Sequence, residues 1–297
     1  MERLNFSAEK MRIIVVFIFL LIFLSEAARQ ARVTDHDLQL WSEELLDKDV
    51  NNAACFVHVN YQARTRSGST ADQAPQPLLT VDRRALQLPT VAKVLRLFDN
   101  YVADAGVNEQ VTAAELREEA DLLDAFVATP VMRHARQFLL EKGLVSTRPD
   151  AFKTLLRDLW FTVFSRGQRR TGSSAFEHVF LGELKRGEVS GLHSWIFFGH
   201  EESRRQANYL GWIRKLDLGS KGSVLKLAYT WLGVRKPVGS MFVGTSPELE
   251  MAVYTVCFLT RANERCRVSL GGVVLHVKTY SFSVRGRSVI SSAYPDI

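Results

Sequence analysis

The sequence predicts an α+β fold, with a helical N-terminal half followed by a half built on antiparallel sheets. Three observations carry this. Between about Thr34 and Arg166, apolar residues recur at helical spacing, and the runs are punctuated by Thr, Pro and Gly signals. From Phe176 onward, short strand-like runs such as Val224–Trp231 and Val268–Tyr280 take over, joined by turns. The chain of 297 residues, 46% hydrophobic and 24% charged, has ordinary globular usage and can bury a sizeable core. The expected division is a helical lobe over 34–166 and a β-rich lobe over 167–297.

The chain begins with a targeting pattern. Arg3, Lys10 and Arg12 precede an unbroken apolar run of twelve residues, Ile13 to Leu24, and Ser25 and Ala27 follow at a spacing a signal peptidase accepts. The run is short for a bilayer span. Two readings stand: a cleaved secretory signal over 1–27, or an uncleaved anchor. Either one places the protein in the secretory pathway or outside the cell, with no later transmembrane span. The only N-x-S/T sequon, Asn5-Phe6-Ser7, falls inside that segment.

In the first half, Thr34 and Asp35 can cap a helix carrying Leu38, Trp41 and Leu45. Residues 67–78 are small, polar and proline-containing, hence a loop. Pro89 opens a helix with Val91, Val94, Leu95, Phe98 and Val102 in phase. Thr112 and Glu115 form a capping box. Pro130 starts a helix that Gly143 ends, and Pro149-Asp150 lead into another with Phe152, Leu156 and Trp160. His36, His58 and His134 read as structural or solvated. Arg166, Arg169 and Arg170 are a solvated turn or a lining for an approaching polyanion.

In the second half, Phe176–Trp195 holds His178 and His193. Phe176 to Leu184 alternates apolar and polar residues over part of its length, so a strand is expected to present His178. Gly187 and Gly191 then turn the chain back to present His193. Lys236 is expected on a loop after the Trp231 strand. Ser246-Pro247-Glu248 starts a helix, and Val289–Tyr294 is a last strand. Of three cysteines, Cys257 and Cys266 are the natural disulfide pair, leaving Cys55 free and buried or paired between chains. No cysteine spacing resembles a zinc site.

Two histidines and a lysine around one phosphate are a sufficient set for RNA cleavage without a catalytic metal. A neutral imidazole can deprotonate the 2′-hydroxyl while a protonated one delivers a proton to the leaving 5′-oxygen. The ammonium group balances charge on the nonbridging oxygens. The product is a 2′,3′-cyclic phosphate, and DNA, lacking the hydroxyl, escapes. The net charge of +6 suits a polyanionic substrate without deciding for one.

The stretches FEHVFLGELKRGEVSGLHSW, RKPVGSMFVGTSPELEMAVYTVCFL and RVSLGGVVLHVKTY resemble the EndoU family of uridylate-preferring endoribonucleases. That family includes animal XendoU and placental-protein-like enzymes, and shares its catalytic core with the coronavirus uridylate-specific endoribonuclease. The resemblance runs from about Thr34 to the C-terminus. It implies that His178 is the general acid, His193 the general base and Lys236 the catalytic lysine. It implies that Ser240 contacts the uracil base, and that Thr279 and Tyr280 belong to the segment packing an aromatic ring on the sugar or base. Ser194 stands where many members have Asn. Manganese is implied by resemblance alone, with Glu177 and Glu183 as the acidic candidates for a metal. On a regular strand those carboxylates would face away from His178, which favours a supporting role over metal ligation. The expected activity is cleavage of single-stranded, U-containing RNA by a monomer with no obligate protein partner. The alternative is a catalytically silent secreted protein that binds RNA, phospholipid or another polyanion.

Overall fold

The computed structural model describes residues 33–100, 102–105, 107, 111–165 and 172–297. The segment read as a signal, with its sequon, and the arginine cluster at 166–170 lie outside the described residues. Among the described residues no helix is long and apolar enough to cross a membrane.

Helices dominate the first half, as the start signals require. Thr34 caps α1 (Asp35–Glu43) in a capping box with Asp37. A short helix α2 (Leu45–Lys48) follows. Strands β1 (Val57–Val59) and β2 (Leu79–Val81) then pair antiparallel across the intervening loop. After a single turn α3 (Arg83–Leu86), Pro89 opens α4 (Pro89–Arg96). That helix stops before Phe98 and Val102, and Val102 is exposed. The Thr112–Glu115 capping box opens α5 (Ala113–Val127). Thr129 and Pro130 open α6 (Pro130–Glu141), followed by Gly143 at φ +69°. Helix α7 (Ala151–Trp160) ends this half. His134 is held there by the Trp41 carbonyl at 3.0 Å, whereas His36 and His58 are exposed.

The second half is built on antiparallel pairs: β3 (Glu183–Lys185) with β4 (Glu188–Ser190), and two three-stranded sheets. One sheet runs in the order β5 (Ala207–Asp217), β6 (Ser223–Trp231), β7 (Val234–Val243). The other runs β10 (Arg287–Asp296), β9 (Val273–Val284), β8 (Arg265–Leu270). Helix α8 (Trp195–Ser203) packs on the first sheet. Helix α9 (Pro247–Arg261) is the axis of the core: every residue but Leu259 and Arg261 is buried, as befits a helix apolar on nearly all sides. It packs against β9 on one side and α4 and α6 on the other, so both halves share one apolar core. The Trp160 indole donates to Thr255 Oγ1 at 2.9 Å, tying α7 to α9. A disulfide joins Cys257 to Cys266, α9 to β8. Cys55 is exposed rather than buried, because its short helical turn lies at the surface.

Two expected placements are corrected. Residues Glu177–Leu181 form a π-helical turn, closed by the Gly182 amide on the Glu177 carbonyl at 2.7 Å, and not a strand. Phe176 and Phe180 stack at 4.9 Å, which residues four apart achieve in a helix but not along an extended strand. Consecutive Val179, Phe180 and Leu181 are all buried, so no alternation with solvent exists. Lys236 lies within strand β7 and not on a loop. Pro237 and Gly239 suggested a break, but the ladder absorbs Pro237 where the register shifts between Leu227 and Tyr229.

Candidate active site

His178, His193 and Lys236 line one cavity of about 330 Å³, together with Ser190, Gly191, Lys226, Ser240, Ser292, Tyr294 and Asp296. It forms where the π-helical turn, β4, β7 and β10 meet. Each element reaches this place for a reason found in its residues.

The π-helical turn begins with a reciprocal pair: Ser174 Oγ accepts from the Glu177 amide at 3.2 Å, and Glu177 Oε2 accepts from the Ser174 amide at 3.1 Å. Glu177 is thereby a capping residue. The turn presents His178, whose Nδ1 meets Glu183 Oε2 at 3.2 Å. Glu183 is 1% exposed, and its other oxygen accepts from the Ser173 hydroxyl. The expected opposition of Glu183 and His178 across a strand therefore fails: the helical turn and the break at Gly182 bring the carboxylate back onto the imidazole.

The return of the chain is equally constrained. Gly191 has φ +68°, and a Cβ there would meet the His178 carbonyl oxygen at 1.7 Å. Through that approach the Leu192 amide donates to the His178 carbonyl at 3.0 Å, and the His193 amide to the Val179 carbonyl at 2.7 Å. Ser194 bridges Phe242 of β7, and the Trp195 indole donates to the Thr245 carbonyl at 2.8 Å. His193 is thus fixed between the π-helical turn and β7.

Lys236 Nζ donates to the Gly191 carbonyl at 2.6 Å, so the ammonium group is held at the glycine turn that joins the two histidines. Burial lowers its pKa to about 8. His193 Nδ1 meets the Ser240 carbonyl at 2.7 Å; a carbonyl only accepts, so Nδ1 carries the proton and Nε2 the lone pair. Burial, then the Lys236 charge, holds the His193 pKa well below its ordinary value, so this ring is neutral. The two imidazoles have opposite settings. His178 faces a carboxylate, which supports a positive ring, and His193 faces a carbonyl with a cation nearby, which supports a neutral one.

Ser240 lines the cavity near its carbonyl contact with His193. Thr279 is 1% exposed and packed beneath the sheet, and neither it nor Tyr280 is a cavity-lining residue. Instead Tyr294 stacks on His193 at 5.1 Å and 24°, and Tyr280 stacks behind Tyr294 at 6.2 Å. Tyr294, Ser292, Lys226 and Asp296 escaped the sequence reading. The pairing of β9 with β10 places three of them, and only the alternation of Tyr294 with buried Ala293 and Pro295 hints at it locally.

Glu177 and Glu183 do not fit a metal. One caps the π-helical turn and the other holds His178 and Ser173. Among the described residues no group of three or more His, Cys, Asp or Glu side chains could hold an ion.

A family model described as endoribonuclease XendoU matches residues 37–295. The chain is 38% identical over 268 residues to the uridylate-specific endoribonuclease EndoU of Drosophila melanogaster, covering 89% of this chain and 83% of that protein. It is 35% identical over 271 residues to a uridylate-specific endoribonuclease of Mus musculus, covering 88% of this chain and 66% of that protein. The solved structure of XendoU, described as a splicing-independent snoRNA-processing endoribonuclease, superposes with a TM-score of 0.73 at 35% identity, covering 88% of this chain and 96% of that one.

Proposed function

The chain belongs to the XendoU family of endoribonucleases, and on that premise we propose that it cuts single-stranded RNA on the 3′ side of uridylates, leaving 2′,3′-cyclic phosphate ends. One observation carries the reading: two imidazoles with opposite electrostatic settings share a cavity with one buried ammonium group.

His193 acts as general base. Its Nδ1 proton is committed to the Ser240 carbonyl, so Nε2 is the basic atom left for the 2′-hydroxyl. His178 acts as general acid. Glu183 fixes the ring through Nδ1 and stabilises its positive form, leaving the Nε2 proton for the departing 5′-oxygen. The attacking 2′-oxygen forms a bond to phosphorus as the 5′-oxygen bond breaks. One proton leaves through His193 and one arrives through His178, so charge balances. Lys236 compensates the charge gathered on the nonbridging oxygens, and at neutral pH its pKa of about 8 keeps it mostly protonated. Ser240 and Tyr294 border the space for the base and sugar. The Cys257–Cys266 disulfide supports a secreted protein, since such bonds persist in oxidising compartments.

The test incubates the protein with an oligonucleotide containing a single uridylate and analyses the new ends. A cyclic phosphate after U, lost in His178→Ala, is expected. Retained cleavage in that variant would contradict the acid assignment, and binding without cleavage by the unaltered protein would mark a silent polyanion-binding protein instead.

A further inference from the structure

The β8–β9–β10 sheet has one packed face and one open face. Register fixes which residues share the open one. Arg265 pairs with Lys278 and Arg267 with His276, while Tyr280 pairs with Ser292 and Tyr294 with Lys278. Directly paired residues, and residues two apart on a strand, point the same way. Arg265, Arg267, Lys278, Tyr280, Phe282 and Tyr294 therefore lie on one side. The other side, with Cys266, Val277, Thr279 and Ala293, is buried toward α9.

An open sheet face is ordinarily polar. This one exposes Tyr280 at 39% and Phe282 at 43%, between arginines and a lysine. It is also continuous with the catalytic cavity. The rings run outward from His193 to Tyr294 to Tyr280, at 5.1 and 6.2 Å. Phe282 continues the strand and is braced by Phe164 at 4.9 Å. Asp296, at the end of β10, pairs with Arg265 and Lys278 of this sheet at 3.1 and 3.6 Å and with Lys226 of β6 at 3.8 Å. One negative charge among three cations leaves the face positive, and Arg267 adds to it. Aromatic faces interleaved with basic side chains are the chemistry of single-stranded nucleic-acid binding.

We propose that this open face is a platform for the RNA flanking the cut uridylate: its bases stack on Tyr280 and Phe282, and its phosphates meet Arg265, Arg267 and Lys278. The proposal rests on the endoribonuclease reading above and adds a substrate class to it, namely strands long enough to leave the cavity and cross the sheet.

The experiment compares a uridine-containing dinucleotide with a decamer carrying one uridylate, and measures binding of the same decamer with 2′-deoxyuridine at the cut site. Phe282→Ala should raise KM for the decamer about tenfold, by loss of one stacking surface, with dinucleotide cleavage unchanged. Arg267→Gln should weaken decamer binding and lower the slope of log affinity against log salt by about 0.7, and Arg267→Lys should restore it. Equal losses on dinucleotide and decamer, or a decamer KM and salt slope unmoved in both variants, would overturn the platform. Should Phe282→Ala unfold, the Arg267 pair decides alone, since that side chain is exposed. Binding that depends on Phe282 and Arg267 in a protein that cuts nothing would keep the platform and discard the nuclease.

Discussion

Among the described residues, two buried clusters of ionisable side chains differ in what they open on. His178, His193 and Lys236 surround a cavity of about 330 Å³. Asp49, Glu248 and Glu250 are buried to a similar degree at the start of α9, but none of them lines that cavity. Burial raises the pKa of all three carboxyls, that of Glu248 to about 7. Two of their contacts join distant segments, Asn51 donating to Glu248 at 2.6 Å and the Ser246 amide to Asp49 at 3.2 Å, while Thr245 donates to Glu250 at 3.0 Å within the helix start. A shifted proton affinity therefore does not by itself mark a reaction centre. What separates the clusters is division of labour: the acidic cluster has one kind of group in one kind of setting, whereas the cationic one sets two identical rings against each other.

Mutations can break this contrast, and the largest effect belongs to the ammonium group. Lys236→Ala should lower kcat about a hundredfold to a thousandfold with a folded protein, the range for removing one charge-stabilising donor; a kcat within twofold of the unaltered enzyme would remove Lys236 from the reaction. Glu183→Gln should lower kcat by about ten- to a hundredfold, a fraction of a general acid's contribution, with KM little changed, because the ring loses the charge that orients it. A change confined to KM would make Glu183 a binding residue.

The acidic cluster should answer in stability and not in rate. Protonated Glu248 is favoured in the fold, so its contribution is full below pH 4.5 and is lost as pH rises toward 7. The amount is on the order of 3 kcal/mol. Glu248→Gln should flatten that part of the urea-unfolding pH profile and leave cleavage alone; an unchanged profile would place the proton elsewhere. The smallest effect concerns Lys236 again. Affinity for an oligonucleotide with 2′-deoxyuridine should fall as pH rises through about 8, where the ammonium group loses its charge, and stay level across that range in Lys236→Arg.

The sequence made the helices easy to place because their signals are local. Thr112 with Glu115, Pro130 and Ser246-Pro247 each stand where a helix opens. The three chemical groups were legible as motifs, but their supports were not. Ser174 and Glu177 have capping-box spacing, a signal the strand expectation over Phe176–Leu184 did not use. Pro237 and Gly239 resembled a loop, since a bulge that tolerates proline depends on the neighbouring strand. Tyr294, Ser292 and Asp296 reach the cavity only through β9–β10 pairing, and Lys226 only through β6, contacts between residues far apart along the chain.

The opposed roles of the two rings can be measured directly with a substrate whose leaving 5′-oxygen is replaced by sulfur, a leaving group that needs no general acid. His178→Ala should recover most of its lost rate on this substrate, and His193→Ala should recover almost none. Recovery in His193→Ala, with His178→Ala still inactive, would contradict the assignment of acid and base.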